Sequence, residues 1–210
     1  ICVSNVHTTV MSYENPDYLN VQNSADLRIP DGKPLSLVCK KRGFKEASRV
    51  TGPELMEELF RIQDLSHYFY GSTEETLEKL KQNLEIKFPN IKIAGMYSPP
   101  FRNLDDDEDK KIIDMINKSG ADILWVALGA PKQENWMFKH KDKINALMIG
   151  VGAGFDYHAG NIKRAPKWMQ KLSLEWLYRL FQDPKRLFKR YLKTNFKFIR
   201  LVGKENKNGK

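Results

Sequence analysis

Residues 122–134, DILWVALGAPKQE, and residues 146–166, ALMIGVGAGFDYHAGNIKRAP, decide the fold. Each begins as an apolar run of strand length and passes straight into a glycine-rich turn. Four similar runs precede them: ICVSNV (1–6), DLRIP (26–30), HYFYG (67–71) and IKIAGMY (91–97). Amphipathic stretches lie near 32–42, 53–63, 73–86, 105–118 and 131–142. This alternation predicts an α/β protein, a mostly parallel sheet flanked by helices. Ser72-Thr73-Glu74-Glu75 reads as a capping box, and Pro53 and Pro131 stand where a first helical turn would begin.

From about Pro166 the pattern changes. LEWLYRL (174–180) and PKRLFKRY (184–191) are basic, aromatic and helical in period, and no strand follows. Residues 163–210 hold 15 Lys and Arg against three acids, so the remainder is slightly acidic although the whole chain carries +9. A charge split of this size predicts a core domain over 1–162, a basic helical appendage over 163–202 and a disordered tail over 203–210. The appendage suits an anionic surface, with rings at headgroup depth and cations against lipid phosphate. Nucleic acid is the rival partner, because basic-aromatic segments also stack bases. Two cysteines, Cys2 and Cys39, make no disulfide framework and fit a reducing compartment. No apolar run approaches the roughly 18 residues of a membrane span. The chain opens at Ile1 inside a strand-like run, which suggests an N-terminal strand and helix missing from it.

Parallel sheets bind ligands at the carboxyl ends of their strands. Five loops qualify: Ser4-Asn5, Pro30-Asp31-Gly32, Gly71-Ser72-Thr73, Gly129 to Glu134, and Gly150 to Asp156. Gly71 and Ser72 suit a phosphate or ribose at a helix N-terminus, and equally suit a plain cap. Asp31 is either a turn aspartate or a general base. Gln133 either starts a helix or reaches a sugar from the first turn. Gly150, Gly152 and Gly154 make a weak dinucleotide fingerprint, since Phe155 fills its sixth position. Asp156 is open between a catalytic role and a simple hydrogen bond. The acids from Asp105 to Asp109 read as helix N-terminal charges rather than metal ligands. Arg164, Arg179, Arg186 and Arg190 can fork onto phosphate oxygens.

Taken together, Asp31-Gly32, Arg49-Val50-Thr51-Gly52, Gly129 to Glu134, Gly150 to Asp156 with Gly160, Arg164-Ala165-Pro166, Leu174 to Arg179, and Pro184 with Arg186 closely resemble the WecG/TagA/CpsF glycosyltransferase family. The resemblance covers nearly the whole chain. It implies a Rossmann-like core and a membrane-targeting appendage that contributes to the active site. It also implies an inverting transfer, without metal or cofactor, from a UDP-sugar to a polyprenyl-diphosphate-linked saccharide. The work would be done at the inner face of the cell membrane, in surface polysaccharide assembly. Asp31 aligns with the family's base, Asn5, Arg49 and Gln133 with its pocket, and Arg179 and Arg186 with its diphosphate-binding arginines. Lys189 and Arg190 compete for the next such role. Nucleic acid is then disfavoured as a partner, and self-association through apolar helix faces stays open. Val3 stands where the family often has Thr, and Tyr70-Gly71-Ser72 replaces its Leu-Gly-Gly turn.

Overall fold

A computed structural model describes residues 1–172 and 174–208, with all their side chains except those of Lys171, Arg186 and residues 205–208. Six strands form one parallel sheet: β1 (Cys2–Ser4), β2 (Arg28–Pro30), β3 (Ser66–Gly71), β4 (Lys92–Tyr97), β5 (Ile123–Ala127) and β6 (Leu147–Gly150). Their order across the sheet is β2-β1-β6-β5-β3-β4. The chain builds one edge from β1 and β2, crosses to β3 and β4 at the other edge, and returns to lay β5 and β6 between them. All six carboxyl ends therefore share one rim.

The inner strands are apolar on both faces, as a sheet covered on both sides requires. Tyr68, Tyr70, Leu124 and Val126 face Ile112 and Ile116 of α6 (Asp106–Lys118) and Met137 of α7 (Lys132–Lys139). Phe69 and Trp125 face the opposite layer. There they meet Met56 and Phe60 of α4 (Gly52–Phe60), Leu80 and Leu84 of α5 (Glu74–Lys87), and Phe155 of α8 (Gly154–His158). His67 lies wholly inside this layer and accepts a 3.2 Å hydrogen bond from the Trp125 indole at Nδ1. Burial lowers its pKa to about 4, so it packs as a neutral ring.

The six expected strands and five expected helices are present. Two further helices, α1 (Val6–Glu14) and α2 (Pro16–Asn23), fill the β1–β2 connection, where the sequence showed no helical pattern. Their buried residues are Thr8, Val10, Tyr18 and Gln22, so half of the inward positions are polar and the apolar period is broken. The cap of α5 is Thr73 rather than Ser72, and it accepts from the Thr76 N–H as a simple cap rather than in the reciprocal box expected. Ser72 instead takes a left-handed backbone at φ 61°. Pro131 is the residue before α7 rather than its first.

The appendage consists of α9 (Lys167–Lys171), α10 (Glu175–Gln182) and α11 (Pro184–Asn208), with α3 (Lys33–Lys41) back in the core completing the set of described helices. α11 runs on to Asn208, through residues 203–208 of the expected tail; residues 209 and 210 lie outside the described residues. α11 docks on α1, with Leu187, Thr194 and Phe198 its buried residues and an ion pair between Lys197 and Glu14 joining the two helices. No described helix is long and apolar enough to cross a membrane.

Candidate active site

Asp31 follows β2 directly, and its N–H donates to the Ser4 carbonyl at 2.7 Å, pinning it to the end of β1. The Val50 N–H donates to the Pro30 carbonyl at 3.2 Å and brings the Arg49 segment alongside. Thr51 then caps α4 in a reciprocal box with Glu54. The next residue, Gly52, packs close against the turn beyond β6, where a Cβ would lie a tight 3.1 Å from the Val151 carbonyl oxygen. The loops after β1, β2 and β6 and the start of α4 thus converge on one corner of the rim.

The Asp31 carboxylate is half-buried and accepts no hydrogen bond among the described residues. Burial lifts its pKa to about 6. Arg49 and Arg179 pull the value down, while Glu175 and Glu54 push it up. A carboxylate with that pKa is mostly ionised at neutral pH and still basic enough to take a proton in a transition state.

Four charges close a ring beside it. Arg49 Nη2 donates to Glu54 Oε1 at 3.3 Å, and Arg49 Nη1 donates to Glu175 Oε2 at 3.3 Å. Arg164 Nη2 donates to the same Glu54 Oε1 at 2.9 Å, and its Nε lies 3.7 Å from Glu175 Oε1. Burial alone would raise the Glu54 pKa, but Thr51, Arg164 and Arg49 hold it below the usual carboxylate range. One turn beyond Glu175, Arg179 lies over the Tyr157 ring at 5.6 Å. Burial drives the Tyr157 phenol up to about 12, against the pull of Arg179.

A second polar cluster lies beneath. The Gly152 N–H donates to Gln133 Oε1 at 3.0 Å, and Gln133 Nε2 donates to Glu134 Oε1 at 2.7 Å. Glu134 is 1% exposed, and burial raises its pKa even against the hydrogen bond from Gln133. Gln22 Nε2 donates to the Tyr18 hydroxyl at 2.9 Å, and Ser4 Oγ donates to Gln22 Oε1 at 3.0 Å. Gln133 therefore braces α7 against the β6 turn, with its carbonyl and one N–H committed inside the protein.

The structure groups Asp31, Arg49, Arg164 and Arg179. It gives Asn5 a structural task, since Asn5 Oδ1 accepts from the His7 and Thr8 N–H groups and caps α1. Gly71 and Ser72 stand at the end of β3, beyond β5 and away from that corner. Asp156 pairs with Asn161 at 3.3 Å. Arg190 lies over the Tyr191 ring at 5.6 Å, and its charge is felt by His7 of α1. The side chain of Arg186 lies outside the described residues. Sequence reading overlooked Glu54, Glu175 and Tyr157. A signal existed for Glu54, as the fourth residue of Thr51-Gly-Pro-Glu54, and for Glu175, one turn before Arg179; both patterns also read as ordinary helix starts. Among the described residues no three His, Cys, Asp or Glu side chains gather into a metal-binding group.

The profile of the glycosyl transferase WecG/TagA/CpsF family matches residues 1–210. The chain belongs to this family. It is 32% identical to the N-acetylglucosaminyldiphosphoundecaprenol N-acetyl-beta-D-mannosaminyltransferase of Bacillus subtilis (strain 168), over all of this chain and 81% of that protein. The enzyme of the same name from Bacillus spizizenii is 33% identical, over 89% of this chain and 72% of its own length. The one from Staphylococcus aureus (strain MW2) is 32% identical, over 81% and 66%. The glycosyl transferase family thus contains a member whose basic appendage carries Glu175 and Arg179 onto the corner where Asp31 sits.

Proposed function

We propose that this glycosyltransferase moves a sugar from a UDP-sugar to a saccharide on a polyprenyl diphosphate, with inversion and without a metal ion. The observation that carries the reading is a poised carboxyl, Asp31, beside fixed guanidinium groups at the rim of a parallel sheet. Asp31 takes the proton of the acceptor hydroxyl. The freed oxygen attacks the anomeric carbon from the face opposite the leaving group, so the new glycosidic bond forms as the bond to the diphosphate breaks. UDP departs with the electron pair. Its developing charge is met by Arg179 and, on the family resemblance, Arg186; one such preorganised charge donor is worth about 3–4 kcal/mol of barrier. The names of the relatives make N-acetylmannosamine the first sugar to test and an N-acetylglucosaminyl lipid diphosphate the first acceptor.

The appendage supports work at a membrane surface. Trp168, Leu172, Trp176, Phe181, Phe188, Leu192, Phe196 and Ile199 are exposed among its lysines and arginines. Rings and aliphatic groups of this kind sink to headgroup depth while the cations hold anionic lipid. The cytoplasmic leaflet, where both nucleotide sugar and anionic lipid meet, is the natural location.

The test is transfer from UDP-N-acetylmannosamine to a synthetic lipid diphosphate bearing N-acetylglucosamine, with wild type and Asp31→Asn in parallel. The variant should lose turnover by at least a thousandfold and still bind UDP. Near-normal turnover would remove Asp31 from the role of base.

A further inference from the structure

Helix α10 carries Arg179, yet none of its eight residues is buried. Its apolar side chains are at most half-buried, and its ring contact, Trp176 on Tyr191, is with α11 of the same appendage. Polar ties run from both ends of the helix. At its far end Gln182 exchanges two hydrogen bonds of 3.1 Å with the backbone of Lys163, which is itself on the appendage. At its start Glu175 meets Arg49 and Arg164, and Arg164 meets Glu54. The second tie joins α10 to α4 and to the segment that follows β2.

The ring alternates in sign around its whole circuit: Arg49, Glu54, Arg164, Glu175 and back to Arg49. Glu54 and Glu175 are each gripped by both arginines. The four side chains are between 15% and 36% exposed, sheltered enough for the network to hold a geometry that an open surface pair would not. Glu175 lies four residues before Arg179, so the two share one face of α10. Seating Glu175 thereby sets where the Arg179 guanidinium lies, against Tyr157 and within electrostatic reach of Asp31.

We propose that Glu54 and Glu175 are positioning residues: with Arg49 and Arg164 they form a four-charge latch that seats α10 on the core and holds Arg179 beside Asp31. This rests on the reading of Asp31 and Arg179 as the working groups of glycosyl transfer. The latch acts on the chemical step rather than on donor affinity, because Arg179 is needed most as the diphosphate leaves.

The experiment compares full-length wild type with Glu54→Gln, Glu175→Gln, Glu175→Asp and, as a control at an ion pair between the appendage and α1, Glu14→Gln. Two quantities are read: amide hydrogen exchange over residues 174–182 without substrate, and kcat and KM for sugar transfer. Glu175→Gln and Glu54→Gln should each speed exchange across α10 at least fivefold and lower kcat at least tenfold, with KM for the donor changed less than threefold. Glu175→Asp keeps the charge and should retain most of both properties, and Glu14→Gln should leave α10 unchanged. Unaltered exchange in both Gln variants overturns the latch, as does a fall in kcat without loosening of α10. Exchange needs no turnover, so a wild type that transferred no sugar would refute the functional reading while exchange still decided the latch.

Discussion

At Asp31 the folded chain holds a carboxyl with a pKa of about 6, where an unconstrained aspartate titrates near 3.9. A carboxyl whose folded pKa is raised costs stability when ionised. That cost is absent below the unfolded value, grows as pH rises toward 6 and is full above it. Asp31→Asn should therefore be more stable than wild type at pH 7.5, by up to about 3 kcal/mol, and nearly equal to it near pH 3.5. Urea denaturation at the two pH values checks this; a less stable variant at pH 7.5 would show that Asp31 is a structural residue. The same pKa places the acid limb of wild-type kcat/KM near pH 6. The candidacy of Asp31 was legible from its place after a strand, but its burial was not, because that depends on α10 and the Arg49 segment arriving from elsewhere. Asn5 and Gln133 were legible as polar residues at strand ends. What each one bonds, an α1 cap and a buried brace, needed the coordinates.

Among the elements, β3 and β5 leave no space for a side chain where Gly71 ends its strand. A Cβ on Gly71 would lie 2.5 Å from the Ala127 carbonyl oxygen, and its φ of 124° is open to glycine alone. Gly71→Ala should destabilise by about 2–4 kcal/mol, since both the backbone at Gly71 and the pairing of β3 with β5 would have to shift. A loss under 1 kcal/mol in equilibrium unfolding would mean that the rim yields more easily than the geometry implies. All six strands and the five core helices α3 to α7 could be read from the chain because their inward residues are largely apolar and regularly spaced. Helices α1 and α2 could not, because Thr8 and Gln22 occupy inward positions there. A buried glutamine reads as a surface residue until its partners, Ser4 and Tyr18, are seen.

For the whole molecule, the split between a near-neutral core and a strongly basic end was visible from composition. How the halves join was not. The contacts between Arg49 and Glu175 and between Glu54 and Arg164 bridge 126 and 110 residues of chain, and neither leaves a local pattern. Ending the chain at residue 162 removes Arg164, Glu175 and Arg179 together with the exposed rings. That fragment should stay in the supernatant with anionic vesicles that sediment the full chain, and should show less than 1% of its transfer activity. Full activity in the fragment would reduce the appendage to an anchor.

The last helix has a further consequence. Its 25 residues form a rod of roughly 37 Å, fastened along its side to α1. Laid flat with its greasy stripe submerged, such a rod works as a keel. It forbids tumbling and leaves only drift and spin within the plane of the lipid. Encounters with a lipid-borne acceptor then follow surface density, and diluting that acceptor with inert lipid, at constant total amount, should slow the reaction in proportion.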